Sequence, residues 1–162
     1  MDGEGYAELA RRLSREGFVL RFPGLFLAVR AEAPEVSKIG FETAVVDFRD
    51  DHLKEARDEW EIFRVAKAAG NPYPDRVSVG RARNCDVVMR DPSISKLHAH
   101  FRAREGGWDL VDLESQNGTR VNGAPLAAHQ PHPVSVGDAI QFGIMSAELV
   151  DAGRLYDLFQ FG

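Results

Sequence analysis

The chain has 162 residues, of which 44% are hydrophobic, and its formal net charge at pH 7 is −5. A chain of this length can bury the core of one domain with an extension, or of two very small domains. No run of about 18 apolar residues predicts a membrane span, and the charged start MDGEGYAELARRL lacks the apolar centre of a secretory signal. The single cysteine, Cys85, excludes an internal disulfide and a multi-cysteine metal site. We therefore expect a cytoplasmic protein that is not bound to a membrane.

The negative net charge argues against a protein that coats nucleic acid, because such proteins carry an excess of basic residues. Charge is nevertheless uneven along the chain. Between Arg76 and Arg104 there are seven basic side chains and two acidic ones, a local net charge of +5. This local positive charge has two equally good explanations. The region could bind a discrete anionic ligand, or its arginines could simply lie on the solvent-facing side of a strand.

The first third of the chain predicts a small α/β unit. Residues 4–16 place apolar side chains at helical spacing among charges and end near Gly17. FVLRF and LFLAVR then predict two short strands about a Pro-Gly turn, and FETAVVDF predicts a third strand. RDDHLKEARDEW predicts a helix, with acidic residues in its first turn. We expect residues 1–58 to form an N-terminal α/β extension, and the sequence assigns no chemistry to it.

The rest of the chain, residues 59–162, predicts a mainly β structure. Short apolar runs are separated by Gly, Pro, Asn or Asp at intervals typical of a β-sandwich or barrel. These runs are EIFRVAK, DRVSVG, CDVVM, LHAHFRAR, WDLVDL, TRVNG, VSVGDAIQF and SAELV. Alternation of apolar and polar residues in AHFRAR predicts one buried and one solvated face. The tail RLYDLFQF predicts a short helix that folds onto the sandwich.

Four short motifs fall on the loops between these strands: VSVGR (77–81), SKLH (95–98), SQNGT (115–119) and VNG (121–123). Each motif alone is typical of an ordinary turn. In this order and spacing they resemble the forkhead-associated (FHA) domain, whose pattern is GR, then SxxH, then SxNGTxxNG. The later segment VGDAIQFG (136–143) is similar to the penultimate strand of that family. The resemblance covers roughly residues 60–150. It implies a β-sandwich of about eleven strands that binds phosphothreonine in proteins phosphorylated by Ser/Thr kinases.

The residue types in these loops fit a phosphate ligand. A phosphomonoester carries about −1.5 to −2 charges and three acceptor oxygens, so its pocket needs a guanidinium fork and neutral donors. Arg81 offers the fork, Ser95 a hydroxyl and a backbone N–H, and Lys96 a point charge. Asn117 has both a donor and an acceptor for the main chain of an extended peptide, and Gly118 permits a sharp turn.

The resemblance implies a role for each matching position. Arg81 and Ser95 are expected to contact phosphate, Asn117 to hold the peptide backbone, and Lys96 and Gln116 to make secondary contacts. Two positions depart from the usual pattern, because many members have arginine at Lys96 and serine or threonine at Gln116. Lysine keeps the charge without the bidentate fork, so we expect a lower affinity. The expected structural supports of the loops are Gly80, His98, Gly118, Thr119, Asn122 and Gly123.

Three other interpretations compete with a phosphopeptide reader. His98-x-His100 and His129-x-x-His132 could indicate a metal site, but no Cys or Glu motif accompanies them. Ser95 and His98 could indicate a hydrolase, but the sequence has no nucleophile elbow, P-loop or dinucleotide fingerprint. We expect no enzymatic activity, metal, cofactor or nucleic acid partner. The third alternative is a phosphate-independent assembly module on the same fold, with the N-terminal unit as an oligomerising or docking piece.

Overall fold

The structure is a computed structural model that describes residues 1–31 and 60–161. Within these residues the chain forms three helices and eleven strands. The helices are α1 (Gly3–Arg12), α2 (Arg15–Arg21) and α3 (Ala152–Phe161). The strands are β1 (Leu25–Arg30), β2 (Trp60–Val65), β3 (Arg76–Gly80), β4 (Val87–Val88), β5 (Ala99–Arg104), β6 (Gly107–Asp112), β7 (Thr119–Val121), β8 (Ala124–Pro125), β9 (His132–Val134), β10 (Ala139–Phe142) and β11 (Met145–Asp151).

The strands form two sheets that pack face to face. One sheet has the order β2-β1-β11-β10-β7-β8 and the other has the order β4-β3-β5-β6-β9. Apolar side chains from both sheets fill the space between them, including the fully buried Phe101, Leu110, Phe142 and Leu149. The predicted mainly β sandwich is confirmed. The eight strand segments predicted within residues 59–162 all contain strands, and VSVGDAIQF contains parts of two, β9 and β10.

Strand β1 lies inside the six-stranded sheet, although it comes from the N-terminal part of the chain. It pairs with β11 on one side and β2 on the other, both antiparallel. Leu27 and Val29 face the core between the sheets, whereas Phe26 and Ala28 face the helices on the outer side. Burial on both faces explains why LFLAVR is an almost continuous apolar run. The predicted boundary at residue 58 lies outside the described residues.

The N-terminal helices differ from the sequence prediction. The Asp2 carboxylate caps α1 by accepting from Gly5 N–H at 3.0 Å, and the Ser14 hydroxyl caps α2 by accepting from Gly17 N–H at 3.2 Å. The second cap starts a new helix where one continuous helix to residue 16 was expected. The prediction of a strand at FVLRF is therefore wrong. Phe18 lies in α2 and Phe22 is its C-cap residue, and because they are four residues apart they share one helix face, which packs into the core.

A second apolar cluster covers the outer face of the six-stranded sheet. Tyr6 of α1, Phe18 of α2 and Leu155 of α3 pack together over Phe26 of β1 and Val150 of β11. Helix α3 contains the predicted tail segment RLYDLFQF. Among the described helices none is long and apolar enough to span a bilayer. The predicted strand FETAVVDF and the predicted helix RDDHLKEARDEW lie outside the described residues, apart from Trp60.

Candidate functional site

Strand pairing gathers three of the sequence motifs at one end of the five-stranded sheet. β3 and β5 are antiparallel with Val79 opposite Ala99, and β5 and β6 are antiparallel with Ala99 opposite Asp112. The segment after β3, the loop before β5 and the loop after β6 must therefore meet at the same end. These segments carry Arg81, residues 89–98 and residues 113–118, so the register of one sheet assembles the site.

The Arg81 side chain is exposed and partly anchored. Its Nε donates to the carbonyl of Ile94 at 3.0 Å, and its backbone N–H donates to the carbonyl of Ser95 at 3.0 Å. No hydrogen bond among the described residues uses its two terminal amino groups. The guanidinium is thus held at one nitrogen, and its other two nitrogens have no hydrogen-bond partner among the described residues.

Ser95 connects its own loop to the loop after β6. Its hydroxyl accepts from Gln116 N–H at 3.0 Å, and its own N–H donates to Nδ1 of His98 at 3.1 Å. The next residue, Lys96, has an exposed side chain, while its carbonyl accepts from Ala82 N–H at 3.1 Å. The structure therefore places Arg81, Ser95, Lys96 and Gln116 on adjoining loops.

Gly80 has a steric reason to be glycine. A Cβ at this position would lie 2.3 Å from the carbonyl oxygen of Lys96 and 2.9 Å from Sγ of Cys85. The first of these atoms belongs to the backbone and cannot turn away, so any side chain would displace the loop that carries Lys96. Gly80 allows β3 and this loop to approach closely, which fixes the start of the Arg81 segment.

Asn117 lies at the exposed tip of the loop after β6. Its Nδ2 donates to the carbonyl of Ser93 at 2.8 Å, which ties this tip to the loop before β5. Gly118 follows with a φ of +81°, a conformation that glycine adopts without strain. Sequence reasoning did not identify Ser93, because a contact between residues 24 positions apart leaves no local pattern.

His98 lies behind the site, with 0% of its surface exposed. Since Nδ1 accepts from Ser95 N–H, the proton is on Nε2, which donates to the carbonyl of Gly118 at 3.0 Å. One neutral ring thus links the Ser95 loop to the Asn117 loop. The ring also packs edge-on against Phe142, with their centroids 5.7 Å apart.

A second buried polar residue, Asp112, shapes the loop after β6, and sequence reasoning missed it. Its carboxylate accepts from the Ser115 hydroxyl at 2.5 Å, from Ser115 N–H at 3.1 Å and from the Thr119 hydroxyl at 2.7 Å. Thr119 is itself buried, so it supports the loop from behind. The one available signal was an acidic residue near the end of the apolar segment WDLVDL.

Asn122 and Gly123 lie at the opposite end of β7 from Gly118. The Asn122 side chain accepts from Ala139 N–H at 2.9 Å and donates to the Asp138 carboxylate at 3.0 Å. Asn122 and Gly123 both have positive φ, +50° and +83°. Their hydrogen bonds fix the β7–β10 pair where β10 begins, and none of those recorded in the described part of the chain joins them to the loops of Ser95 or Asn117.

Comparison with known proteins identifies the family of this region. The model of the FHA domain family matches residues 77–143, which include the Gly-Arg, Ser-x-x-His and Asn-Gly motifs. Residues 77–143 form an FHA domain.

Relatives of this FHA domain have regulatory names. The oxoglutarate dehydrogenase inhibitor of Corynebacterium diphtheriae is 32% identical over 77 residues, covering 48% of this chain and 52% of that protein. The glycogen accumulation regulator GarA of Mycolicibacterium smegmatis is 36% identical over 66 residues, covering 41% of this chain and 40% of that protein. The chain thus spans about half or less of the length of these relatives.

Solved FHA domains share the fold beyond the matched residues. The FHA domain of an Arabidopsis thaliana hypothetical protein is 21% identical, with a TM-score of 0.51, and covers 80% of this chain and 86% of that one. The FHA domain of the CT664 protein from Chlamydia trachomatis is 20% identical, with a TM-score of 0.50, and covers 79% of this chain and 98% of that one.

The other histidines of the sequence motifs do not converge on a metal site. His129 pairs with Glu114, with Nε2 and Oε1 3.3 Å apart, and His132 lies in β9. His100 lies half-buried on the solvent-facing side of the five-stranded sheet. Across residues 1–31 and 60–161 there is no cluster of three or more His, Cys, Asp or Glu side chains placed to hold a metal ion.

Two buried titratable groups behind the site, His98 and Asp112, have shifted pKa values. Burial lowers the pKa of His98, and the Gly118 carbonyl and the Asp112 carboxylate offset only part of this effect. For Asp112, burial alone would raise the pKa, but hydrogen bonds from Ser115 and Thr119 outweigh burial and lower it. His98 is therefore neutral and Asp112 ionised at neutral pH, as their hydrogen bonds require.

We expect the free energy of unfolding to fall as the pH drops below about 6.5, the usual pKa of an unfolded histidine. Between this value and the lower pKa of folded His98, the unfolded chain binds a proton at this site that the folded chain lacks. Burial lowers the pKa of His100 as well, which adds a contribution of the same sign. Stability therefore rises with pH in this window, by at most about 1.4 kcal/mol per pH unit for one site. Urea titrations between pH 7.5 and 5 measure the slope. A His98→Asn variant with an unchanged slope would show that another group is responsible.

Proposed function

We propose that this chain is a non-enzymatic signalling module that binds threonine-phosphorylated segments of partner proteins in a Ser/Thr kinase pathway. The observation that carries the proposal is the partly anchored guanidinium of Arg81, whose terminal amino groups lie open beside the Ser95 loop. Family membership of residues 77–143 supports the same conclusion.

The charge of the site favours a phosphate over a carboxylate ligand. Arg81 and Lys96 both have exposed side chains on adjoining loops, within the stretch of the sequence whose local net charge is +5. Two cations match the charge of about −1.5 to −2 that a phosphomonoester carries. The Ser95 hydroxyl accepts one hydrogen bond from Gln116 N–H, and its own proton remains for a phosphate oxygen.

A peptide is the ligand class that fits the neighbouring groups. Asn117 is exposed at the tip of its loop, where its amide can pair with the N–H and C=O of an extended main chain. Its amide N–H₂ group donates to the carbonyl of Ser93, which holds the side chain at the loop rim. We propose that Arg81, Ser95 and Lys96 contact the phosphate and that Asn117 and Gln116 contact the peptide.

The names of two relatives support a regulatory rather than an enzymatic role. One is called an inhibitor of oxoglutarate dehydrogenase and the other a regulator of glycogen accumulation. We propose that this chain likewise acts by binding other proteins. We further propose residues 59–162 as the binding unit and residues 1–58 as an extension, with β1 contributing to the sheet of the sandwich. Experiments should use the whole chain, because β1 is an inner strand.

Three versions of one peptide, with phosphothreonine, phosphoserine or unmodified threonine, test the proposal by calorimetry. We expect phosphothreonine to bind most tightly, phosphoserine several-fold more weakly, and the unmodified peptide not measurably. The extra methyl group of threonine is worth about 0.8 kcal/mol when buried, or roughly fourfold in affinity. Its β-branched side chain also has less rotamer freedom to lose on binding.

Competition with free phosphothreonine is the control for this experiment. It should displace the phosphopeptide if the phosphate occupies the site. Equal binding of the phosphorylated and unmodified peptides would refute the proposal and would favour the phosphate-independent assembly module. Equal dissociation constants for phosphothreonine and phosphoserine would mean that the site recognises charge without contacting the methyl group.

A further inference from the structure

A groove lies between the N-terminal helices and the edges of both sheets. Its lining includes Tyr6 of α1, Arg21 and Phe22 at the end of α2, Ile62 and Arg64 of β2, and Val88 of β4. Among the described strands, β2 and β4 are the edge strands of their sheets. The groove has a volume of about 510 Å³, within the range of about 300 to 1,000 Å³ that is typical of ligand sites. None of the proposed phosphopeptide contacts lines it.

The hydroxyl of Tyr6 is an unpaired polar group in this groove. Tyr6 is only 4% exposed, and its ring packs edge-on against Phe22 and Phe26. Its hydroxyl makes no hydrogen bond to any described residue, whereas every fully enclosed side-chain oxygen and nitrogen in residues 1–31 and 60–161 has a partner. The hydroxyl must therefore reach the groove that Tyr6 lines. Burial raises the pKa of Tyr6, so the hydroxyl keeps its proton at neutral pH and can donate it.

Two arginines line the same groove without an acidic partner. The guanidinium of Arg21 lies over the ring of Phe22, 5.4 Å from its centroid, and makes no hydrogen bond or ion pair with any described residue. Nη2 of Arg64 donates to the carbonyl of Pro23 at 3.0 Å, but Arg64 forms no ion pair with a described carboxylate. The charge of Arg64 lies near the Tyr6 hydroxyl, since it lowers the pKa of Tyr6 against the effect of burial. Three side chains thus bring unused donors to one groove.

The acidic residue that lines the groove, Asp86, does not neutralise these arginines. Its carboxylate is fully buried and accepts from the N–H and hydroxyl of Ser78, from the N–H of Ala68 and from the amide of Asn71. It also pairs with Lys67, with Nζ and Oδ2 3.2 Å apart. Because Lys67 balances the charge of Asp86, the two arginines leave the groove positive and complementary to an anion.

The remaining surface of the groove fits a peptide that carries a carboxylate. An arginine fork pairs with a carboxylate through two parallel hydrogen bonds, and the Tyr6 hydroxyl adds a neutral donor. Ile62 and Val88 supply apolar surface beside these donors, which suits an aliphatic side chain next to the acidic one. The edge strands β2 and β4 can pair with the main chain of an extended segment.

We propose that this groove is a second binding site, which takes an acidic, unphosphorylated segment of a partner protein. Tyr6, Arg21 and Arg64 hold one glutamate or aspartate side chain, and an adjacent aliphatic side chain lies on the apolar wall. These three residues all precede the FHA domain at residues 77–143, so the site belongs to the N-terminal part of this chain. The interaction needs no phosphate and is independent of the proposed function.

Selection from a display library of short unphosphorylated peptides, with the whole chain as target, tests the inference. We expect the enriched peptides to carry glutamate or aspartate next to leucine, isoleucine or valine. The dissociation constant of one enriched peptide is then compared with that of the same peptide in which glutamine replaces the glutamate. Loss of the charge should weaken binding by about tenfold or more.

Tyr6→Phe separates binding from folding, because it removes a hydroxyl that no described residue uses and keeps the aromatic ring. We expect an unchanged midpoint of urea unfolding and an affinity for the acidic peptide that is about five- to tenfold lower. Arg21→Gln should weaken binding by about tenfold. Arg11→Gln is its matched control, since Arg11 is exposed in the last turn of α1, as Arg21 is in the last turn of α2, and does not line the groove.

Equal affinity for the glutamate and glutamine peptides, or unchanged binding in Tyr6→Phe and Arg21→Gln, would overturn the inference. Equal losses in Arg11→Gln and Arg21→Gln would also overturn it, because the attraction would then be to the overall charge of the helices. Displacement of the acidic peptide by free phosphothreonine would place it at the Ser95 loop and refute the second site, while leaving the proposed function intact. If free glutamate competes as strongly as the peptide, the groove binds a small anion and the assignment to a partner segment fails.

Discussion

Replacement of Arg81 by alanine is expected to weaken phosphothreonine peptide binding by about ten- to a hundredfold or more. Hydrogen bonds to charged groups contribute about 1.5 to 3 kcal/mol, and the guanidinium can present two such donors to the phosphate. Titration calorimetry with wild type and variant measures the loss. Equal affinity of the two proteins for the phosphopeptide would refute the assignment of Arg81.

Two further variants separate the guanidinium geometry from charge alone. Arg81→Lys keeps the positive charge but loses the fork and the Nε contact with the Ile94 carbonyl, so we expect an intermediate affinity. Arg102→Ala removes one exposed positive charge from β5, outside the loops of the site, and should leave affinity nearly unchanged. An equal loss in Arg102→Ala would indicate attraction by the overall basic surface. Because Arg81 also anchors its loop, the unfolding free energy of each variant must be measured alongside.

Replacement of His98 by alanine is expected to lower the unfolding free energy by about 2 to 4 kcal/mol. The fully buried ring leaves a cavity, and Ser95 N–H loses its acceptor Nδ1. The Gly118 carbonyl loses one donor but still accepts from Gly143 N–H. We therefore attribute most of the cost to the cavity and to Ser95. Urea denaturation measures it, and peptide binding should be lost only as the loops lose order.

His98→Asn distinguishes the hydrogen bond from the cavity, because the asparagine oxygen can replace Nδ1 as the acceptor for Ser95 N–H. We expect it to lie between wild type and alanine in stability. His129→Ala is the control, since His129 is exposed and its loss should change stability by less than about 0.5 kcal/mol. An unchanged unfolding free energy in His98→Ala, together with abolished binding, would instead make His98 a direct contact of the ligand.

The strands that carry the site were largely predictable because their signals are local. Alternation in AHFRAR follows from one buried and one solvated face, and the Asn-Gly pairs at 117–118 and 122–123 supply the positive φ angles that their turns require. The Gly-Arg pair is explained by a contact that sequence cannot show, the approach of Gly80 to the Lys96 carbonyl. The ligand contacts assigned to Arg81 and Asn117 remain predictions.

The sequence by itself determined the β-rich region, the order of its loop motifs and the residue types suited to phosphate, because turns and alternation depend on neighbours in the chain. Only the tertiary structure decided that FVLRF is helical and that LFLAVR is an inner strand, since a short apolar run is compatible with either structure. It alone placed Ser93 between Asn117 and Ile144, and Asp112 behind Thr119. These contacts join residues brought together by folding, so their physical cause is the register of paired strands rather than any local pattern.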